Sequence, residues 1–162
     1  MFLEIKKYPD PVLKKKAEQV NEITPEIKEL IFNMKETLES KRGVGLAAPQ
    51  VGVSKRIIVV RTKNKLLAFI NPEVIKKGFR KTSDKEGCLS FPGLWLEIKR
   101  AKTVIVKALN EEGKEVLINA QGFLARVFQH EIDHLNGILF FERLGLFEKL
   151  KVKKQLRKPA WT

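Results

Sequence analysis

Residues 122–137, Gly-Phe-Leu-Ala-Arg-Val-Phe-Gln-His-Glu-Ile-Asp-His-Leu-Asn-Gly, predict the helix around which the fold is built. Its apolar residues recur at helical spacing, and Asn136-Gly137 is a typical C-terminal stop. Apolar neighbours flank the polar residues, which indicates a core helix rather than a surface helix. Both histidines of the chain, His130 and His134, lie here four positions apart. Residues at this spacing share one helix face, so both imidazoles can reach a single metal ion.

A carboxylate stands beside the first of these histidines. At that position Glu131 can take a proton from water bound to the metal, because the ion lowers the pKa of that water toward ~7. Val127 and Phe123 extend the histidine face one and two turns earlier, which predicts an apolar wall beside the ion. A surface helix that happens to carry two histidines is the alternative interpretation, and the apolar flanks argue against it.

A hydrolytic metal site usually has three protein ligands and one open position. The third histidine of the long zinc-protease motif would fall at Phe140, so that class of protease is excluded. Cys88 offers a thiolate, a good ligand for soft divalent ions, within residues 86–90, Glu-Gly-Cys-Leu-Ser. A lone cysteine is more often structural, but the histidine pair favours a ligand here. Glu142 and Glu148 remain alternative third ligands.

A third segment is rich in small residues. Residues 43–52, Gly-Val-Gly-Leu-Ala-Ala-Pro-Gln-Val-Gly, contain three glycines and two alanines, which indicates that something packs close to this backbone. Gln50 supplies a neutral amide donor suited to stabilising an oxyanion. A tight helix-to-strand connection without a ligand is the alternative. A phosphate-binding loop is not expected, because no Lys-Ser/Thr pair follows the glycines.

The rest of the chain predicts strands around the central helix. A first helix is expected from the N-cap Thr24 to about Ser40. Pro72 is expected to end a strand, and residues 143–158 predict a short basic helix. The expected strands are residues 56–61, 66–71, 73–79, 94–100, 103–109 and 115–119. The predicted fold is an α+β domain of mostly antiparallel strands packed around the central helix, with residues 1–162 forming one catalytic domain.

Composition limits the function further. The chain of 162 residues has a net charge of +13, which attracts anionic partners such as nucleic acid, the ribosome surface or acidic membranes, or which serves solubility alone. No apolar run approaches the ~20 residues that span a bilayer, and the N-terminus has neither a secretory nor a transit pattern. A cytoplasmic protein without a membrane partner is therefore expected.

The three segments together resemble the peptide deformylase family. Its signatures Gly-x-Gly-x-Ala-Ala-x-Gln, Glu-Gly-Cys-Leu-Ser and Gln-His-Glu-x-Asp-His stand here, in the family's order, at residues 43–50, 86–90 and 129–134. Residues 8–13 are also similar to the family's N-terminus, so the resemblance covers roughly residues 5–141. It implies a metal-dependent hydrolase that removes the formyl group from the N-terminal formylmethionine of nascent polypeptides and releases formate.

The resemblance implies roles for individual residues. Cys88, His130 and His134 would hold one divalent metal ion, expected to be Fe²⁺ in the cell, for which Zn²⁺, Ni²⁺ or Co²⁺ can substitute. Glu131 would act first as general base and then as general acid.

The resemblance also implies an oxyanion site and a substrate cleft. The Gln50 side chain and the Leu89 backbone N–H would stabilise the oxyanion, and Glu86 would pair with Arg100 to brace the cysteine loop. An extended N-formylmethionyl peptide would pair with the enzyme as an added strand. The residues expected to bind it are Val44, Gly45, Gly87, Phe123 and Val127.

The chain departs from the family pattern at three places. Trp95 stands where many relatives carry a basic residue, and Arg126 is expected near the rim of the methionine pocket, where an apolar residue is frequent. The tail after Arg143 shows no clear family pattern but is strongly basic. Several bacterial relatives dock such a helix on the ribosome, which predicts ribosome binding here through phosphate attraction and no sequence-specific recognition of nucleic acid.

Two other classes of function remain open at this point. A metalloprotease using the same histidine pair would not need Cys88 and would cut internal peptide bonds. A basic binding module with a structural metal would need a closed site of four ligands. The chain has no further histidine or cysteine to supply the fourth, so a carboxylate would have to serve.

Overall fold

The computed structural model describes residues 1–158, in which three α-helices and seven strands form an α+β fold. The helices are α1 (Pro25–Ser40), α2 (Gly122–Leu135) and α3 (Leu146–Leu156). The strands are β1 (Gly45–Ala47), β2 (Ile57–Thr62), β3 (Lys65–Lys77), β4 (Lys81–Cys88), β5 (Phe91–Ala101), β6 (Thr103–Leu109) and β7 (Glu115–Gln121). Short 3₁₀ helices occupy Pro11–Lys14, Ala48–Val51 and Phe140–Arg143. The predicted fold class is confirmed.

The strands form two antiparallel sheets. One sheet has five strands in the order β1-β2-β3-β6-β7, and the other is the hairpin β4-β5. The strands predicted over residues 56–61 and 66–71 pair as a hairpin, with Val59 opposite Ala68. Strand β1 lies at an edge of its sheet, so one side of its backbone faces away from the other strands.

Helix α2 is the buried helix that the sequence predicts. Every residue from Ala125 to Leu135 is buried, and its apolar side chains join those of β2, β6 and β7 in one core cluster. The helix ends where predicted, with Asn136 as its C-cap and Gly137 in the left-handed region at φ 72°. That backbone conformation suits glycine because it has no Cβ.

The expectation that Pro72 ends a strand is wrong. Strand β3 runs through the proline to Lys77, so the strand expected at residues 73–79 is its continuation. The register shifts between Ile70 and Glu73, which leaves Asn71 (φ 52°) and Pro72 in a β-bulge. A bulged residue does not donate to the ladder, so the missing N–H of proline costs nothing there.

Strand β4 was not predicted from the sequence, although it leads into the cysteine. Its residues, Lys-Thr-Ser-Asp-Lys-Glu-Gly-Cys, lack the apolar alternation of a half-buried strand. Pairing with β5 from Lys81 to Cys88 makes it a strand, and its one buried residue is the charged Glu86. No strand is predicted here because the inward-facing residue, Glu86, is charged, and its hydrogen-bond partners come from other elements.

The basic C-terminal segment predicted over residues 143–158 is helical over the shorter range of α3. Val152 and Leu156 of this helix are buried in a cluster with Leu13 and Phe91, which attaches α3 to the rest of the fold. Residues 159–162 of the predicted domain lie outside the described residues. None of the helices within residues 1–158 is long and apolar enough to cross a membrane.

We expect Gly137→Ala to destabilise the fold by about 2 kcal/mol or more, because it combines a positive φ with a steric clash. A Cβ at this position would lie 2.4 Å from the Lys14 carbonyl oxygen. Urea denaturation of the metal-free protein measures the change. Gly145→Ala is the matched control, since nothing lies within 4 Å of its Cβ position. Equal stability of the two variants would contradict this account of the α2 stop.

Candidate active site

One cleft brings the three predicted segments together. It has a volume of about 500 Å³ and lies between the residue 43–45 loop, the end of β4 and helix α2. Its lining includes the catalytic candidates Glu131, Gln50 and Leu89. It also includes all five residues expected to bind substrate, namely Val44, Gly45, Gly87, Phe123 and Val127.

The predicted metal ligands converge at this cleft. One ligand atom from each of Cys88, His130 and His134 lies within 4.8 Å of the other two, and within residues 1–158 this is the one such group of ligand side chains. Cys88 Sγ is 3.3 Å from His134 Nε2. The set of one sulfur and two imidazoles fits a divalent transition metal, with room for water as a fourth ligand on the cleft side.

The surroundings of His130 and His134 also fit metal binding. His130 Nδ1–H donates to Glu86 Oε1 at 2.7 Å, which orients the ring and leaves Nε2 to serve as ligand. Burial lowers the pKa of His130, but hydrogen bonds with Cys88 and Glu86 raise it to about 10, so a metal ion must displace a proton. Burial and the His130 charge lower the pKa of His134 well below its usual value, which keeps it neutral as a ligand must be.

The alternative third ligands lie elsewhere. Glu142 accepts a hydrogen bond from the Leu139 backbone N–H at 2.8 Å and pairs with Lys14. Glu148 is exposed in the first turn of α3. Phe140 packs its ring 5.6 Å from that of His130 as part of the core. The geometry therefore favours Cys88 as the third ligand.

Glu131 is buried beside the cleft and is held from one side by a glycine. A Cβ on Gly45 would lie 2.6 Å from Glu131 Oε1, so only glycine leaves room for the carboxylate. Within the described residues, Glu131 Oε2 is buried without a hydrogen-bond partner. Burial raises the pKa of this carboxyl to about 7, which suits a group that exchanges protons near neutral pH.

Gln50 points its amide at the cysteine. It lies in the 3₁₀ helix after β1, where its Oε1 accepts from the Ala47 backbone N–H at 2.9 Å. This contact fixes the amide so that Nε2 donates to Cys88 Sγ at 3.5 Å and to Ser90 Oγ at 3.2 Å. The fully buried donor is thus directed to the metal end of the cleft, as an oxyanion contact requires.

A buried carboxylate joins the cysteine hairpin to α2. The predicted pair of Glu86 and Arg100 is confirmed as a bidentate contact, with N···O distances of 2.8 and 2.9 Å. Burial alone would raise the pKa of Glu86, but the hydrogen bonds from His130 and Arg100 outweigh it and lower the pKa to about 2. Glu86 is therefore ionised at any pH at which an enzyme would work.

The expectation that Arg126 lies at the pocket rim is corrected by the structure. Its side chain lines the inner wall of the cleft and is 4% exposed. The guanidinium turns inward and donates to Glu86 Oε2 at 2.6 Å, to the Ile98 carbonyl at 2.7 Å and to the Thr82 carbonyl at 2.8 Å. Arg126 therefore ties α2 to both strands of the cysteine hairpin.

The sequence analysis does not assign supporting roles to Asp133, Arg143 and Ser90, all of which contribute to the site. Asp133 accepts from Arg100 at 2.7 Å and from Arg143 at 2.7 and 3.0 Å, which extends the ionic network below the metal ligands. Ser90 accepts the second hydrogen bond of Gln50. The charge of Asp133 within an otherwise apolar helix was the available signal, because a buried carboxylate requires a cationic partner.

Trp95, one of the expected departures from the family pattern, lies against Gly87 in the cleft. Its indole covers Gly87 so closely that a Cβ there would lie 2.7 Å from the ring. The side chain is 67% exposed and lines the cleft. It forms an apolar wall along the backbone expected to bind the peptide.

Comparison with known proteins agrees with this geometry. Residues 2–150 match the model of the polypeptide deformylase family. The chain is 57% identical over 144 residues to a peptide deformylase from Halothermothrix orenii, covering 88% of this chain and 93% of the relative. It is 49% identical over 161 residues to one from Thermodesulfovibrio yellowstonii, covering 96% and 97%. The crystal structure of peptide deformylase from Thermus thermophilus superposes with a TM-score of 0.90 at 41% identity, covering 96% of this chain and 93% of that one. The chain therefore belongs to the peptide deformylase family, enzymes that remove the formyl group from the N-terminus of nascent polypeptides.

Proposed function

We propose that this chain hydrolyses N-formylmethionyl peptides at the cleft, with Cys88, His130 and His134 holding one divalent metal ion. The convergence of these three ligand atoms within 4.8 Å of one another is the observation that carries the proposal. When bound, the ion supplies a Lewis acid that lowers the pKa of water toward ~7 and polarises the formyl carbonyl. The ion in the cell is Fe²⁺, and Zn²⁺, Ni²⁺ or Co²⁺ can take its place, since all accept mixed sulfur and imidazole ligands.

Glu131 moves the protons of the reaction. Its carboxylate takes a proton from the attacking water and then delivers it to the leaving amine, which releases formate. The unpartnered Oε2 and a pKa of about 7, raised by burial, support both steps. The Gln50 amide and the Leu89 backbone N–H stabilise the negative charge on the formyl oxygen.

The substrate backbone binds as an added strand between the edges of the two sheets. Gly45 stands on the edge strand β1, and Gly87 stands near the end of β4 in the two-stranded sheet. Backbone groups at such edges can pair with an extended peptide. The methionine side chain enters an apolar pocket formed by Val44, Phe123 and Val127. Of these, Val127 is buried, whereas Val44 and Phe123 are exposed at the mouth.

The reaction is tested by measuring formate released from formyl-Met-Ala-Ser by protein purified without oxygen and analysed for metal. We expect about one metal ion per chain, since the site is a single three-ligand group. Cys88→Ala should lose both metal and activity. Glu131→Gln should keep its metal and lose at least about 10²-fold in kcat, because proton transfer is removed.

Glu97→Gln is the matched control for Glu131→Gln, since Glu97 is exposed on β5 and does not line the cleft. A Glu131→Gln variant with near wild-type turnover would refute the proton-transfer role. Full activity of Cys88→Ala, together with cleavage of internal peptide bonds, would instead support the metalloprotease alternative.

We also propose that residues 1–162 act as one catalytic domain in the cytoplasm and dock on the ribosome through α3. Buried Val152 and Leu156 hold one face of this helix against the fold. The other face carries exposed Lys151, Lys153, Lys154 and Arg157. A row of cations on a fixed helix is suited to ribosomal RNA phosphates, because binding them releases counterions.

The docking proposal predicts that Lys151→Gln/Lys153→Gln/Lys154→Gln weakens co-sedimentation with ribosomes at low salt. We expect the slope of log affinity against log salt to fall by about two, since each phosphate contact contributes roughly 0.7 to 0.9. Substitutions that remove charge are a better test than truncating the chain after Phe147, because truncation would also remove the buried Val152 and Leu156. Lys28→Gln/Lys76→Gln/Lys102→Gln, exposed on other elements, is the control with equal charge loss. Identical binding by both triple variants would refute docking through α3.

A further inference from the structure

The exposed charged residues that line the active-site cleft are all cationic. Lys41, Arg42 and Lys85 are exposed at its surface. The acidic residues in the lining, Glu86 and Glu131, are both buried. The side chains of a bound peptide at the rim therefore do not meet either carboxylate. The charged side chains that are exposed in the lining of the cleft are therefore all positive.

These cations stand on both banks of the cleft. On one bank, Gly45 contacts the Glu131 carboxylate, and Arg42 precedes Gly45 by three residues. On the other bank, Lys85 precedes the metal ligand Cys88 by three residues. Because extended chain rises about 3.3 Å per residue, the Cα atoms of Arg42 and Lys85 lie at most about 10 Å from those of Gly45 and Cys88. An extended peptide would bring its third and fourth residues to that position.

The three cations form no ion pairs with neighbouring carboxylates. Glu39 pairs with Arg61 at 2.6 Å, and the exposed Asp84 carboxylate accepts from the Lys85 backbone N–H at 2.8 Å rather than from its ammonium group. Glu97 is opposite Lys85 in the β4-β5 register but makes no ion pair with it. Throughout residues 1–158, no carboxylate forms an ion pair with Lys41, Arg42 or Lys85.

We propose that this enzyme prefers formylated peptides with acidic side chains at their third and fourth residues. This inference rests on the deformylase function and cleft assignment proposed above. An acidic side chain between the two banks gains attraction from cations that form no ion pair within the described residues. Complementary charge of this kind raises the rate of productive encounter and discriminates against peptides of like charge. Lys41, Arg42 and Lys85 are specificity residues, and they take no part in the chemical step.

The preference is measured with amidated peptides formyl-Met-Ala-Xaa-Xaa-amide, in which Xaa is Glu, Gln or Lys. Amidation matters because a free terminal carboxylate at the fourth residue would itself be an anion. In the metal-loaded enzyme at low salt, we expect kcat/KM for the Glu peptide to exceed that for the Gln peptide about fivefold, with the Lys peptide lower still. At about 0.5 M KCl the Glu/Gln ratio should approach one, because salt screens exposed charges.

The variant Lys41→Gln/Arg42→Asn/Lys85→Gln should reduce the low-salt Glu/Gln ratio to below about twofold. Asparagine is used at position 42 because Arg42 has φ 52°, which asparagine tolerates. The control Lys28→Gln/Lys76→Gln/Lys102→Gln removes the same charge away from the cleft and should keep the wild-type ratio. The ratio is independent of the fraction of active protein, so partial misfolding of a variant does not change it.

Equal hydrolysis of the Glu and Gln peptides by the wild-type enzyme would overturn the inference and leave the deformylase function intact. A preference lost equally in both triple variants would overturn it as well, because net charge alone would then be responsible. Failure to hydrolyse any of the three peptides would overturn the proposed function and this inference together.

Discussion

The ionised carboxylate of Glu86, buried between the cysteine hairpin and α2, is the interaction on which the active site depends. It accepts hydrogen bonds from Arg100, Arg126 and His130. A buried charge is tolerable only when it is paired and fully hydrogen-bonded. Because its donors come from both β5 and α2, the charge is satisfied only when the hairpin and the helix are docked. Docking of the hairpin on the helix therefore also brings the proposed metal ligands together.

This dependence explains how ligands from distant parts of the chain reach one point. Cys88 ends β4, two residues after Glu86, whereas His130 lies on α2 and hydrogen-bonds directly to Glu86. One carboxylate thus sets the position of the thiolate through the backbone and the orientation of the imidazole through Nδ1. Asp133 continues the network to Arg143 and attaches the segment after α2 to the same set of charges. Rigid support of this kind keeps a metal site in the geometry its chemistry needs.

The cleft itself is formed by close packing of backbone. Gly45 leaves room for Glu131, and Gly87 leaves room for Trp95. Both glycines lie on segments with an unpaired sheet edge, so small residues and free backbone groups occur at the same places. A linear peptide can therefore approach the reacting groups closely on both sides. Under the proposed specificity, the choice among peptides depends on the side chains around this backbone. These are above all Trp95 and the cations Lys41, Arg42 and Lys85.

Elements with a local sequence pattern can be predicted from the amino-acid sequence. Helical spacing and end signals predicted α1 and α2, and the four-residue spacing of the histidines placed both on one face. Runs of β-branched residues predicted β2 and β6. Strand β4, the bulge at Pro72 and the inward turn of Arg126 depend instead on tertiary contacts. In each case a polar residue is buried, or a proline lies within a strand, against the residue's usual preference. Contacts with residues distant in sequence make that placement stable. Local propensity is encoded within a few residues, whereas the satisfaction of a buried charge requires groups as far apart as Glu86 and His130.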